Sequence, residues 1–300
     1  MVSSRTPGRG SLGAALWLAA LSVAWGAIPL FVRNDVPSAG LVGARVTFGA
    51  IALIAVAASL RRLVWPSGKL VRLILSGVLL ALHWVTFFES IKYATVAVAL
   101  AVLYLGPIAA SILAGPFLGE KVSRRLWVAL AVAASGTLMV VQPWNDLQDG
   151  SITTRGLVMG GLSAALLAAL LLVGKPVAKR LGGLTMAIGE LTVGAIVLAP
   201  ATWKAVTDFP EYWLNFLILG AVFTGLAGYV YWEAMQKLPI AAVSVIMYLE
   251  PASAVVWAAM FLDEIPNVAA WIGVALVVGG GAITAGTSTE EEVMSAPIAL

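Results

Sequence analysis

Tyr104-Leu105-Gly106-Pro107 is followed ten residues on by Phe117-Leu118-Gly119-Glu120, and the same pattern returns as Tyr248-Leu249-Glu250-Pro251 and Phe261-Leu262-Asp263-Glu264. The two copies lie 144 residues apart. At the same offset Glu89 matches Glu233, Trp127 matches Trp271 and Gly136 matches Gly280. Earlier in each half the offset is 145: residues 45–51 (Arg-Val-Thr-Phe-Gly-Ala-Ile) match residues 190–196 (Glu-Leu-Thr-Val-Gly-Ala-Ile). One short insertion or deletion accounts for the slip. Trp, Pro and Glu are uncommon in so apolar a chain, so chance explains the matches poorly.

Both copies sit within long apolar runs. A helix needs about 20 mostly apolar residues to cross the hydrocarbon core of a bilayer. The chain supplies ten such runs, at 12–32, 39–60, 70–91, 95–118, 126–143, 156–174, 184–201, 212–235, 240–262 and 267–286. Each half therefore holds five spans, 12–143 and 156–286, and residues 1–11 and 287–300 are short tails. Five is odd, so the second half enters the membrane from the opposite face. The expected fold is all-α and membrane-embedded, with ten transmembrane helices in two inverted five-helix repeats. Such repeats are characteristic of secondary transporters that expose a midplane site to each side in turn. A β-barrel needs alternating strands of about ten residues, and that pattern is absent.

Composition agrees. Hydrophobic residues are 61% of the 300 and charged residues 11%, against about 25% charged in a soluble globule. With mean hydropathy at +0.98, a soluble enzyme and a disordered chain are both excluded. The net charge of +3 comes from small basic clusters between apolar runs, which reads as topology rather than a nucleic-acid surface. With the N-terminus inside, the inner segments hold Arg5, Arg9, Arg61, Arg62, Lys69, Arg72, Lys121, Arg124, Arg125, Lys175, Lys179, Arg180 and Lys237. The outer segments hold Arg33, Lys92, Arg155 and Lys204. That 13:4 bias puts both termini in the cytoplasm. The first run is long for a signal-peptide core and no small-x-small cleavage site follows it, so it is read as a retained span. The chain has no cysteine, so disulfides, thiolate metal sites and a cysteine nucleophile are excluded.

The repeated block also resembles a known family, the drug/metabolite transporter superfamily, in its ten-span form with two EamA domains. The residues that carry the likeness are Ala24-Trp25-Gly26, Arg45, Tyr93-Ala94, Pro107 and Phe117-Leu118-Gly119-Glu120-Lys121. In the second half they are Leu238-Pro239, Leu249-Glu250-Pro251, Phe261-Leu262-Asp263-Glu264 and Gly280. The likeness covers roughly residues 12–286. It implies the ten-helix fold and transport of amino acids, nucleosides, sugar phosphates, nucleotide sugars or drugs. Within the superfamily the chain is most similar to bacterial amino-acid and metabolite exporters, including the YddG type that exports aromatic amino acids.

Ionisable groups inside the spans are the first candidates for a site. A charge at a membrane helix centre costs about 2.5–3.5 kcal/mol on insertion scales, so each needs a reason. Arg45 and Glu190 are repeat mates of opposite charge. Each lies about 9 Å deep from opposite faces, which leaves roughly 12 Å between their levels in a core of about 30 Å. Direct pairing is disfavoured; backbone carbonyls, water or substrate are the alternatives. Glu250 is deeper, beside Pro251, whose missing N–H kinks the helix and frees a carbonyl. It either holds a substrate ammonium or a proton, or is a buried carboxylate capped by hydroxyl or indole donors. His83 is the single histidine, read as a hydrogen-bonded packing residue or a contact facing a cavity.

Of eleven tryptophans, Trp65, Trp127, Trp144, Trp203, Trp213 and Trp271 fall near span ends as interfacial anchors. Trp17, Trp25, Trp84, Trp232 and Trp257 lie deeper. Each offers an apolar face and one N–H donor, suited to an amphipathic ligand. Tyr229 sits in the aromatic eighth span, and Tyr104 and Tyr248 precede their prolines by nearly one turn. The candidate pathway residues are therefore Trp17, Trp25, His83, Trp84, Tyr104, Glu190, Tyr229, Trp232, Tyr248 and Glu250, and the pathway is expected between the halves, lined by spans one, three, four, six, eight and nine. Pro29, Pro107 and Pro251 are candidate kinks, and Glu120 and Glu264 candidate helix-end gates.

No G-x-x-x-x-G-K-[ST] element is present, and one histidine without cysteine gives neither a metal site nor a clustered catalytic set. An enzyme is not expected, nor a cofactor or a nucleic-acid partner. The first span lacks the acidic residue of the small multidrug transporters in the same superfamily. The expected function is a secondary transporter in the inner membrane that exports small amphipathic metabolites by alternating access, neutral or aromatic amino acids before others. An exporter of nucleosides or drugs, or a passive channel, is the alternative. The expected partners are a small-molecule substrate and the lipid bilayer.

Overall fold

In a computed structural model the described residues are 8–28, 31, 36–64, 66, 68–146, 152–261 and 265–295, with side chains between 10 and 284. Every regular element among them is helical. Seven helices are long and apolar enough to cross a membrane: Ser38–Ser59, Leu70–Tyr93, Val96–Leu118, Arg124–Val141, Thr154–Leu181, Pro210–Lys237 and Ile240–Phe261. They coincide with the second to sixth, eighth and ninth apolar runs. The seventh run is a bent pair, Gly183–Val197 and Ala199–Asp208, meeting at 74°. Helices over Gly8–Trp25 and Val268–Ser295 fill the places of the first and tenth runs.

Local chemistry sets the boundaries. Thr95, Ser123 and Thr153 cap the fourth, fifth and sixth spans, each side-chain oxygen accepting the N–H three residues on. The first helix stops at Trp25, short of the expected residue 32. Trp25 carries the carbonyl that Pro29 would crowd in a continuing helix; Pro29 itself, expected as a kink, lies outside the described residues. The bend in the seventh span follows from Pro200, which has no N–H to offer the Ile196 carbonyl. The sixth span runs past the expected residue 174 to Leu181, through Lys175 and Pro176. The fourth and ninth spans each break for one residue, at Tyr104 and at Tyr248, three residues before Pro107 and Pro251. The eighth contains one π-helical stretch, Ala221–Leu226.

The third span lies along the sixth and the fifth along the tenth, while the first packs between the eighth and ninth. The repeat mates Glu89 and Glu233 mark opposite ends of the bundle. Glu89 binds Arg155 at 3.2 Å, where the third span gives way to the fourth. Glu233 accepts the Gly183 N–H at 3.0 Å, where the sixth gives way to the seventh.

Candidate functional site

A cavity of about 740 Å³ lies between the two halves. Its lining at helix ends comes from one end of the bundle: Ile28, Val36, Ser38, Lys92, Val96, Val141 and Ala258. Among the described residues none of the lining comes from the opposite end, where residues 119–123, 181–183 and 237–240 meet. Among the described residues the cavity reaches the first of these ends and is closed off from the second.

Its walls are apolar and aromatic, with Trp25, Trp84, Phe87, Phe88 and Trp257 among them; Arg45, Glu190 and Glu250 line it deep in the bundle and Lys92 at its end. The buried Arg45 donates through Nε to Thr224 Oγ1 at 3.2 Å, and its guanidinium carbon stands 4.6 Å from the Trp84 ring centre and 5.8 Å from that of Phe88. A cation over an aromatic face gains about 0.5–2 kcal/mol, more as it is desolvated. No ion pair joins Arg45 to Glu190, as the depth argument anticipates. Thr224 and Phe223, whose carbonyl accepts the Trp25 Nε1–H at 2.9 Å, both belong to the π-helical stretch. That wider turn presents two acceptors to the cavity wall, a placement common at functional sites. Nothing in the sequence reveals it.

His83 is buried and lines the cavity. The Ser163 hydroxyl donates to the His83 carbonyl at 3.0 Å, which leaves Nδ1–H to donate to the Ser163 carbonyl at 3.0 Å. This assignment makes Nε2 the acceptor. His83 thus ties the third span to the sixth while contributing to the cavity wall.

The proline breaks are stitched across the halves. Pro251 leaves the Met247 carbonyl without its helical donor. The Tyr104 hydroxyl stands 3.3 Å from that carbonyl and 3.0 Å from Glu250 Oε2, sharing its proton between them. In return the Tyr248 hydroxyl donates to the Tyr104 carbonyl at 3.0 Å, and the two rings stack with centres 4.9 Å apart. Ser111 donates to the Pro107 carbonyl at 2.7 Å, and the Ser244 hydroxyl, 3.2 Å from Ser111, shares its proton between the Ile240 carbonyl at 2.8 Å and the Pro107 carbonyl at 3.2 Å. Interhelical hydrogen bonds in membranes average about 0.6 kcal/mol, and those to charged groups reach about 1.5–3 kcal/mol. Tyr104→Phe is therefore expected to lower thermal stability in detergent more than Tyr248→Phe; equal losses would contradict the asymmetry.

Four expectations need correction or qualification. Trp17 is 69% exposed on the bundle's outer surface and does not line the cavity. Tyr229 packs partly buried against the core instead of lining it. Tyr248 is 1% exposed and stands behind Tyr104. The wall also draws on the second, fifth and seventh spans, not only on spans one, three, four, six, eight and nine. Trp25, His83, Trp84, Tyr104, Glu190, Trp232 and Glu250 are brought together around the cavity, with Pro107 and Pro251 in its wall.

Glu120 lies away from the cavity, at the closed end. Gly119, at φ 70°, ends the fourth span in the left-handed conformation that glycine adopts without strain. Glu120 then turns toward the second half. Its Oε2 accepts the Ile240 N–H at 2.8 Å at the start of the ninth span, and its Oε1 pairs with Lys175. Lys175, 2% exposed, also donates to the Leu238 carbonyl. Lys121, Arg124 and Arg125 are close to Glu120 in sequence, yet its ion-pair partner Lys175 comes from the other half. The signal for Lys175 is a lone cation beside Pro176 at the end of an apolar run. Glu264, the repeat mate of Glu120, lies outside the described residues.

The EamA-like transporter family matches the chain twice, over residues 12–142 and 154–286. The pseudopaline exporter CntI of Pseudomonas aeruginosa is 26% identical over 214 residues, 70% of this chain and 71% of that protein. The threonine/homoserine exporter RhtA of Salmonella typhimurium is 28% identical over 182 residues, 59% of this chain and 58% of that one. A solved crystal structure superposes with a TM-score of 0.73 at 20% identity, covering 91% of this chain and 98% of its own, a likeness of fold. With a family match over both halves and helices of membrane-crossing length, the chain is a multi-pass membrane protein that belongs to the EamA-like transporter family.

Proposed function

We propose that this protein is a secondary transporter that exports small amphipathic metabolites, neutral amino acids with large side chains foremost, across the inner membrane. The cavity carries the reading: apolar aromatic walls from both halves surround one guanidinium and two carboxylates. Such a site suits a solute with an apolar body and a charged or zwitterionic head. Among the described residues its cations are Arg45, deep in the wall, and Lys92 at the end, not the deep cluster that a sugar phosphate needs. A relative named for threonine and homoserine export favours an amino acid as cargo.

The 13:4 distribution of basic residues puts the termini and the closed end inside. The cavity then faces outward, and the Glu120–Lys175 contact shuts the cytoplasmic side. Loading from the cytoplasm requires that contact to part as the halves rock about the breaks near Pro107 and Pro251. Liposomes holding the purified chain and preloaded with radiolabelled phenylalanine or leucine test this. Saturable efflux supports a carrier for neutral amino acids. Efflux of uridine but no amino acid moves the cargo to nucleosides, and non-saturating leak or conductance identifies a channel.

A further inference from the structure

The guanidinium and the two carboxylates deep in the cavity are not equally satisfied. Arg45 has Thr224 and two aromatic faces, and Glu250 has the Tyr104 hydroxyl. Glu190 Oε2 and the Tyr231 hydroxyl have no hydrogen-bond partner among the described residues. Their side chains are 4% and 7% exposed, and both line the cavity. Buried polar atoms are nearly always paired, and one left without a partner is destabilising, the more so on a carboxylate. Two unpaired oxygens occur here on side chains of the seventh and eighth spans that interact electrostatically, and the Trp232 indole N–H is a hydrogen-bond donor to the same carboxylate group, which leaves Oε2 open.

What the pair lacks is a group that satisfies both oxygens at once and balances the carboxylate charge. A carboxylate only accepts, and a phenol oxygen accepts as readily as it donates. A primary ammonium brings three N–H donors and a positive charge. It can bond Glu190 Oε2 and the Tyr231 oxygen together. The rings around it are those of Tyr231 itself, Trp232 at 5.3 Å and Trp25 at 5.9 Å from the Tyr231 ring centre, and aromatic faces attract a desolvated cation.

We infer that Glu190 and Tyr231 form the subsite that takes the ammonium group of the transported solute. The inference rests on the amphipathic-cargo reading above and narrows it to amines and amino acids. Glu250, its charge already engaged by Tyr104, is not the ammonium contact.

Binding to the purified full chain, followed by quenching of its tryptophan fluorescence, tests the subsite. The probes are phenylalanine, phenethylamine and 3-phenylpropionate, which share a ring and differ in their charged groups. The wild type is expected to bind the two amines at least tenfold more tightly than 3-phenylpropionate. Glu190→Gln is expected to erase that preference, weakening both amines at least tenfold while leaving 3-phenylpropionate within twofold. Tyr231→Phe keeps the ring and the fold, and is expected to weaken both amines by a smaller factor. Retained amine affinity in both variants overturns the subsite while amino-acid export stands. A Glu190 that carries a proton and acts as donor gives that result. Amine binding lost in Glu190→Gln, in a chain that exports no amino acid, upholds the subsite and overturns the export reading. A wild type that binds neither amine overturns the subsite outright.

Discussion

Lys175→Met is expected to destabilise the chain by about 3–5 kcal/mol, because removing one partner of a buried ion pair strands the other. The Glu120 carboxylate, only 13% exposed, then loses its cation, and the Leu238 carbonyl loses a donor. Glu120→Gln is expected to cost a similar amount, since it strands the Lys175 ammonium. The double variant removes both charges, and a glutamine at 120 can still accept the Ile240 N–H. It is expected to recover most of the loss, with a coupling above about 2 kcal/mol in a double-mutant cycle. Transport should follow the same order: more than tenfold reduced in each single variant and partly restored in the double. Thermal unfolding in detergent and efflux from liposomes measure the two effects. Single variants within about 0.5 kcal/mol of wild type, or costs that simply add, would show that the contact does not hold the closed end.

Gly26→Ala is expected to reduce transport at least tenfold although it adds a single methyl group. A Cβ there would strike Ser253 Oγ and come within 2.7 Å of both the Ala254 nitrogen and the Glu250 carbonyl oxygen. Two of those atoms are backbone, so the first and ninth spans must separate. Overpacking of this kind costs about 1–3 kcal/mol. The shift falls on the turn that carries Glu250, and on the hydrogen bonds from Ser253 and Trp257 to the Val23 carbonyl at 3.2 and 2.8 Å. Gly13→Ala, on the same helix with nothing within 4 Å of the added carbon, is the matched control. Equal transport by the two variants would mean the first span does not position the ninth.

The spans, the repeat and the breaks before Pro107 and Pro251 are legible in the sequence because each is local: an apolar run of sufficient length, or a missing N–H. The facing of side chains is much less so. In a soluble helix the polar face marks the outside, but lipid is as apolar as a packed core, so no hydrophobic stripe gives the phase. Trp17 and Tyr229 were therefore expected on the pathway alongside Trp25 and Trp232, from which depth and chemistry do not separate them. Tyr248 shares its sequence context with Tyr104 yet stands behind it, because the two cross-bond from mirrored positions and one ring must lie nearer the cavity. Lys175 reads as a topology signal because its partner Glu120 is remote in sequence. The bend in the seventh span had a visible cause in Pro200, whereas the π-helical stretch around Thr224 has none in the local residues.

Under the alternating access proposed above, the fourth and ninth spans must move against each other for solute to cross. Ser111 and Ser244, with hydroxyl oxygens 3.2 Å apart on these two spans, offer a site to lock them, and the chain has no native cysteine to interfere. The Ser111→Cys/Ser244→Cys variant, oxidised in liposomes, is to be assayed for counterflow of radiolabelled phenylalanine against an internal excess of the same amino acid. Alternating access predicts counterflow in the reduced protein, its loss on oxidation and its return with dithiothreitol. Wild-type counterflow through the crosslinked protein would contradict it.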